Sequence, residues 1–340
     1  MAFNSAPGTG EIVRTDSALS SWSLRLLLAA LLFFCSEILL WTNPPTRNLL
    51  DWLLLIVGYI AMSALLLEIA ARYRLRDVYG LLMLAGIYGM ANGLILNPHS
   101  ALIDIPRTLI SRAMGAHAFA GVLGLALFFS ITRGGFRSRR SLIVALVLAV
   151  ILGIGWGIWA HWSPQEFASL GESAPETLAL YVGIGIMLIV LALLFVHRCA
   201  GTAANLSLDR RGWAFTLLAL SVLLVIHLLQ NEVDLLSLTV IITLSAFSIM
   251  IIWFQQRKKG ATLLDNLASK SPAWGSLVLL IIGFAVAAAV GYGLPRGDVT
   301  NDPLALISAL FTAYGLIWLP AVSIVLGARA FSRQARAMQL

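Results

Sequence analysis

Of this chain's 340 residues, 59 % are hydrophobic and only 11 % charged, with a mean hydropathy of +0.90. A soluble domain carries about 25 % charged residues, so this composition excludes a water-soluble enzyme and makes lipid the expected solvent. The net charge of +7 raises a nucleic-acid reading, but the basic residues are spread over many short segments, so anionic membrane lipid is the expected partner and nucleic acid is not.

Residues 1–20 are polar, contain Pro7, Gly8 and Gly10, and lack an apolar stretch of signal-peptide type. They predict a disordered cytosolic tail rather than a cleaved leader. From there to residue 328 the chain alternates uncharged runs of about 20 residues with short polar segments, the length that crosses about 30 Å of hydrocarbon as a helix. The predicted spans are 22–41, 51–71, 78–97, 113–132, 141–161, 178–197, 212–230, 235–255, 274–294 and 304–327. A basic cytosolic tail, 329–340, follows. The fold class is thus an all-α integral membrane bundle of ten helices.

Charge sets the orientation. With the N-terminus inside, all 23 lysines and arginines except Arg47, Arg107, Arg112 and Arg296 fall in inner segments, which predicts both termini in the cytoplasm of a bacterial-type plasma membrane. Tryptophans give the same answer: Trp22, Trp213, Trp253 and Trp274 fall at inner ends, and Trp41, Trp52, Trp159 and Trp162 at outer ends. The longest connections, such as 162–176 with Glu166, Glu172 and Glu176, are too short to hold a core of their own. Cys35 and Cys199 fall at opposite ends of the bundle and are read as unpaired packing residues.

Small residues recur at helix-packing distance: Gly89 and Gly93, Gly153 and Gly157, and Gly283, Ala287 and Gly291. They predict close helix contact rather than chemistry. Pro320 lies inside the last span and predicts a kink there. Glu68, one turn before Arg72, predicts an ion pair at a helix end.

No phosphate-cradling glycine loop, paired CxxC, HExxH or GxSxG is present, and the five histidines lack metal-ligand spacing. The sequence names no cofactor, and lone histidines such as His117 and His227 are weak candidates for haem or pigment ligation. What remains is polarity inside spans. Glu37, Asn92, His117 and His227 each lie about one turn from the outer end of their helix, and a carboxylate facing hydrocarbon is costly. A common outward pocket is therefore expected from these four residues, with Tyr88, Arg112 and Asn231 at its rim. The competing expectation is separate, pairwise hydrogen bonds without a cavity. The predicted activity is permease-like transport or binding of a small or lipid-like substrate. Two alternatives are an accessory subunit of a larger membrane complex and a membrane-embedded enzyme acting on lipid-linked substrates.

Overall fold

The computed structural model describes residues 18–40, 49–162, 175–199, 205–255, 260–265, 267, 272–294 and 303–337. Among these no strand occurs, and ten helices are long and apolar enough to cross a membrane, as a multi-pass membrane protein requires. Helix α1 (Ala18–Phe33) continues as a π-helical segment, Phe34–Leu39, and is followed by α2 (Leu49–Arg72), α3 (Val78–Ile95) and the short α4 (Pro98–Ala101). A second π segment, Leu109–His117, runs straight into α5 (Ala118–Thr132). Then come α6 (Arg139–Trp162), α7 (Pro175–Arg198), α8 (Arg210–Leu229), α9 (Leu235–Gln255), α10 (Trp274–Tyr292) and α11 (Pro303–Ala337). Trp41, residues 1–17, Glu166 and Glu172, and the side chains of Trp162 and Glu176 lie outside the described residues.

Local chemistry sets the helix ends. Asp77 accepts the Gly80 amide at 2.9 Å to start α3, and Asp209 accepts that of Gly212 at 2.8 Å to start α8. Helix α8 stops on Asn231, whose φ of 58° places it in the left-handed region. There Asn231 N bonds Leu228 O and Glu232 N bonds His227 O, the paired bonds that close a helix at a left-handed residue. Helix α2 closes the same way, with Arg74 N on Ala71 O and Leu75 N on Ala70 O, but its left-handed residue, at φ 51°, is Arg74. An L-residue other than glycine or asparagine pays roughly 1–2 kcal/mol there.

One boundary departs from the sequence expectation. Helix α11 passes through Pro320 and runs past the predicted span end at 327 to Ala337, so Arg329 and Arg333 project from a helix.

The first four spans form the interior: 61 to 72 % of each is buried, against 11 to 28 % for the other six. Small residues set the closest approaches. A Cβ on Gly157 would strike Ala288 O, and one on Gly291 would strike Ile154 O, so the two glycine stripes read from the sequence face each other across α6 and α10. Gly89 and Gly93 likewise receive the second π segment at Ala113, and Gly89 the start of α5 at Ala118. Helix α11 closes on that segment, with Gly315 against Ile110 O, Gly115 against Phe311 O, and Trp318 over Gly86. Trp318 Nε1 also donates to Met114 O at 2.9 Å.

At the opposite end, Glu68 does more than pair with Arg72 at 3.1 Å: its second oxygen accepts the Leu208 amide at 2.7 Å, fastening the approach to α8 onto α2. Buried Arg25 donates to Leu206 O at 3.3 Å, stacks over Trp22, and completes this joint. Cys35 is buried and Cys199 half-buried, and no disulfide joins them.

Candidate functional site

Glu37 sits on the first π segment and is completely buried. A π turn inserts one extra residue, re-aims the side chains around it and leaves carbonyls without their usual helical partners. Two tryptophans of α6 take up carbonyls at this end: Trp156 Nε1 donates to Ile38 O at 3.0 Å and Trp159 Nε1 to Leu40 O at 3.1 Å. Trp159, expected at the interface, is thus also a helix clasp.

The re-aimed carboxylate meets α2 and the α3–α4 junction. Its Oε1 accepts the Tyr59 hydroxyl at 2.6 Å and Asn97 Nδ2 at 2.7 Å. Asn97 spends its other amide proton on Asn92 Oδ1 at 2.9 Å. Asn92 in turn donates to Tyr59 Oη at 2.8 Å and to Tyr88 Oη at 3.2 Å, and Tyr88 is hydrogen-bonded to Ser36 Oγ at 2.5 Å. Both amides use both of their protons, and the donations from Tyr59 and Asn97 end on Glu37. All six side chains are fully buried, or 1 % exposed for Tyr59. A connected network of this kind is cooperative, and losing one member strands the others in a medium that offers no water.

Three of the residues expected to converge, Glu37, Asn92 and Tyr88, therefore do meet, and Tyr88 is in the interior rather than at a rim. His117 is buried at the end of the second π segment. One turn on, Gly121 lies against the Tyr88 ring, so this wall borders the same interior. Arg112 is half-buried and donates to Ser100 O at 3.0 Å. His227 and Asn231 belong elsewhere: His227 Nδ1 is 2.6 Å from Glu232 Oε2, and Asn231 is the exposed helix stop described above.

His227 lines an open cleft of about 320 Å³ between α2, the α3–α4 junction and α8, together with Asp51, His99, Gln230 and Glu232. Its apolar wall includes Leu55 and Leu96. Leu55 is one turn from Tyr59, and Leu96 is next to Asn97, so the cleft and the network share their supports. Polarity is thus divided between a closed interior network and an open cleft beside it.

The sequence reading missed Ser36, Tyr59 and Asn97 in the network and Asp51, His99 and Glu232 in the cleft. Tyr59 carried a usable signal, since a tyrosine deep in an apolar helix has to place its hydroxyl. Asn97 was read only as a span end. Among the described residues no three His, Cys, Asp or Glu side chains are grouped so as to hold a metal ion. Compared with protein-family models, with curated proteins and with solved structures, the chain matches none.

Proposed function

We propose that this chain is a multi-pass protein of a bacterial-type plasma membrane, with both termini cytoplasmic, that binds and moves a small polar solute in permease-like fashion. The observation that carries the reading is the adjacency of the cleft to the Glu37 network through Leu55–Tyr59 and Leu96–Asn97. A solute entering the cleft from outside presses on the same two helix faces that hold the carboxylate, so its binding and the network's geometry are coupled. Orientation is supported by charge: Arg72, Arg74, Arg76 and Arg133 lie at the end of the bundle opposite Asp51, Asp104 and Glu232. Two carboxylates and two imidazoles line the cleft, and with His227 already on Glu232 they favour a solute that is cationic or rich in hydrogen-bond donors.

The test is the purified full chain in proteoliposomes, assayed for uptake of a panel of small amines, amino acids and sugars, alongside mass spectrometry of solutes carried through purification. Uptake that falls in Glu37→Gln and His227→Ala supports the reading. A second reading, an accessory subunit, is favoured by the mutual satisfaction of the network's donors and acceptors, as in a structural pin. Recovery of the protein only within a larger membrane complex, with no solute bound or moved, overturns transport in its favour.

A further inference from the structure

At the other end of the bundle lies a larger open pocket of about 550 Å³, remote from the Glu37 network. Its wall carries Arg74 and Arg76 from the α2–α3 turn and Arg329 and Arg333 from the extension of α11, with Asp77 as its one acidic lining residue among the described residues and Leu75, Ile252 and Leu326 as its apolar floor. Dispersed arginines follow from membrane topology alone. Four that converge on one concavity from segments about 250 residues apart, as the Arg329–Asp77 pairing across 252 residues measures, do not.

Three features show that the arginines are held there. Arg74 occupies the left-handed helix stop that glycine or asparagine takes at least cost, and its Nη2 donates to Gly260 O at 3.2 Å, while its Nε is buried without an acceptor among the described residues. Arg329 is oriented from two sides, by Asp77 Oδ2 at 2.7 Å and by the Tyr79 ring 4.4 Å from its guanidinium carbon. Arg333 Nε bonds Arg329 O at 3.0 Å, which binds one arginine's position to the other's. Among the described residues, Asp77 pairs with Arg329 and Asp265 on the 260–265 loop faces Arg74 and Arg133.

We infer that this pocket binds a phosphate group, carried either by an anionic phospholipid of the inner leaflet or by a free phosphate compound. Planar guanidinium forks match phosphate oxygens two at a time, which an ammonium does not. Basic pockets between helix ends on the cytoplasmic side are where lipid phosphates lodge. The apolar floor suits the glycerol and first methylenes of a lipid, and the shared chemistry of either source is the phosphate. The inference does not depend on the transport reading.

The experiment uses the full chain in a neutral detergent and follows both thermal unfolding and native mass spectra on adding phosphatidylglycerol, phosphatidylcholine or inorganic phosphate. Phosphatidylglycerol is expected to raise the unfolding temperature and give a discrete one-lipid adduct, where phosphatidylcholine does neither. Stabilisation by inorganic phosphate that competes with the lipid assigns the site to phosphate from either source. Arg329→Gln with Arg333→Gln should weaken the effect on the order of ten-fold or more. Arg139→Gln with Arg140→Gln, which removes the same charge from the start of α6 outside the pocket, should leave it intact. Should the double variant fail to fold, Arg333→Gln alone carries the same comparison. Equal response to both lipids with none to phosphate, or equal loss in the pocket and control variants, overturns the inference.

Discussion

Tyr59→Phe deletes one oxygen atom and with it two hydrogen bonds, the 2.6 Å donation to Glu37 and the 2.8 Å acceptance from Asn92. The ring stays, including its edge contact with Phe33 at 5.6 Å, so packing is held constant. Bonds between membrane helices are worth about 0.6 kcal/mol on average and up to about 1.7. A bond to a carboxylate lies higher, and a stranded buried donor costs about 1–3 kcal/mol. Together these place the loss at about 2–3 kcal/mol, since the Asn92 proton has no water to turn to. The assay is unfolding of the purified protein by titrated denaturing detergent, read by tryptophan fluorescence. Because Tyr59 and Asn97 donate to the same oxygen, the Tyr59→Phe, Asn97→Leu pair should depart from additivity by about 1 kcal/mol. Tyr314→Phe is the internal contrast: its hydroxyl is buried with no hydrogen-bond partner among the described residues, so its removal should be neutral or stabilising. Equal effects of Tyr59→Phe and Tyr314→Phe, or additivity within about 0.5 kcal/mol, would refute the cooperative network.

Other substitutions probe the packing and the inner joint. Gly157→Ala should destabilise by about 1–3 kcal/mol, because its Cβ would strike Ala288 O and force α6 from α10. Gly155→Ala, two residues away with nothing within 4 Å, should instead gain about 0.5–1 kcal/mol of helix propensity, both measured by the same titration. At the α2–α8 joint, Arg72→Ala should cost less than about 1 kcal/mol, its side chain being 60 % exposed. Glu68→Ala should cost about 2–3 kcal/mol, because it strips the buried Leu208 amide of its acceptor. In the 260–265 loop, bonds from the Thr262 amide and hydroxyl hold the Asp265 carboxyl below its ordinary range. The folded value being the lower, the stabilisation is present at neutral pH and is lost as pH falls through it. Asp265→Asn should therefore reduce stability slightly above about pH 5 and make no difference in stronger acid, as read from stability against pH.

The helices were legible because apolar run length is set by membrane thickness, and nearly every boundary follows it. The exception is instructive. Hydropathy marks where a helix leaves lipid, and α11 continues through alanine and arginine, both good helix formers, for residues that no lipid argument covers. The packing stripes of α6 and α10 were legible as well, since small residues four apart have few other uses. Placing the polar residues required more. Depth alone grouped His227 with Glu37, but depth says nothing of direction around the axis, and the π turns at 34–39 and 109–117 shift that direction by a residue. No periodicity count anticipates such an insertion. Asn231 and Arg74 show the same limit, each a helix stop whose backbone bonds, not its polarity, explain the residue's conformation.

Helix α11 seals a face that belongs to the earliest part of the chain. The Trp318–Met114 bond alone spans 204 residues of sequence, and Gly86, Gly115 and Ile110 are covered by this one helix. In a bilayer, a chain that had not yet placed α11 would leave that face against acyl chains, and the first four spans would lack the cover that α11 gives them. A chain halted before residue 303 should leave the Trp318 socket greasy and open, a surface on which membrane proteases can distinguish unfinished molecules from finished ones.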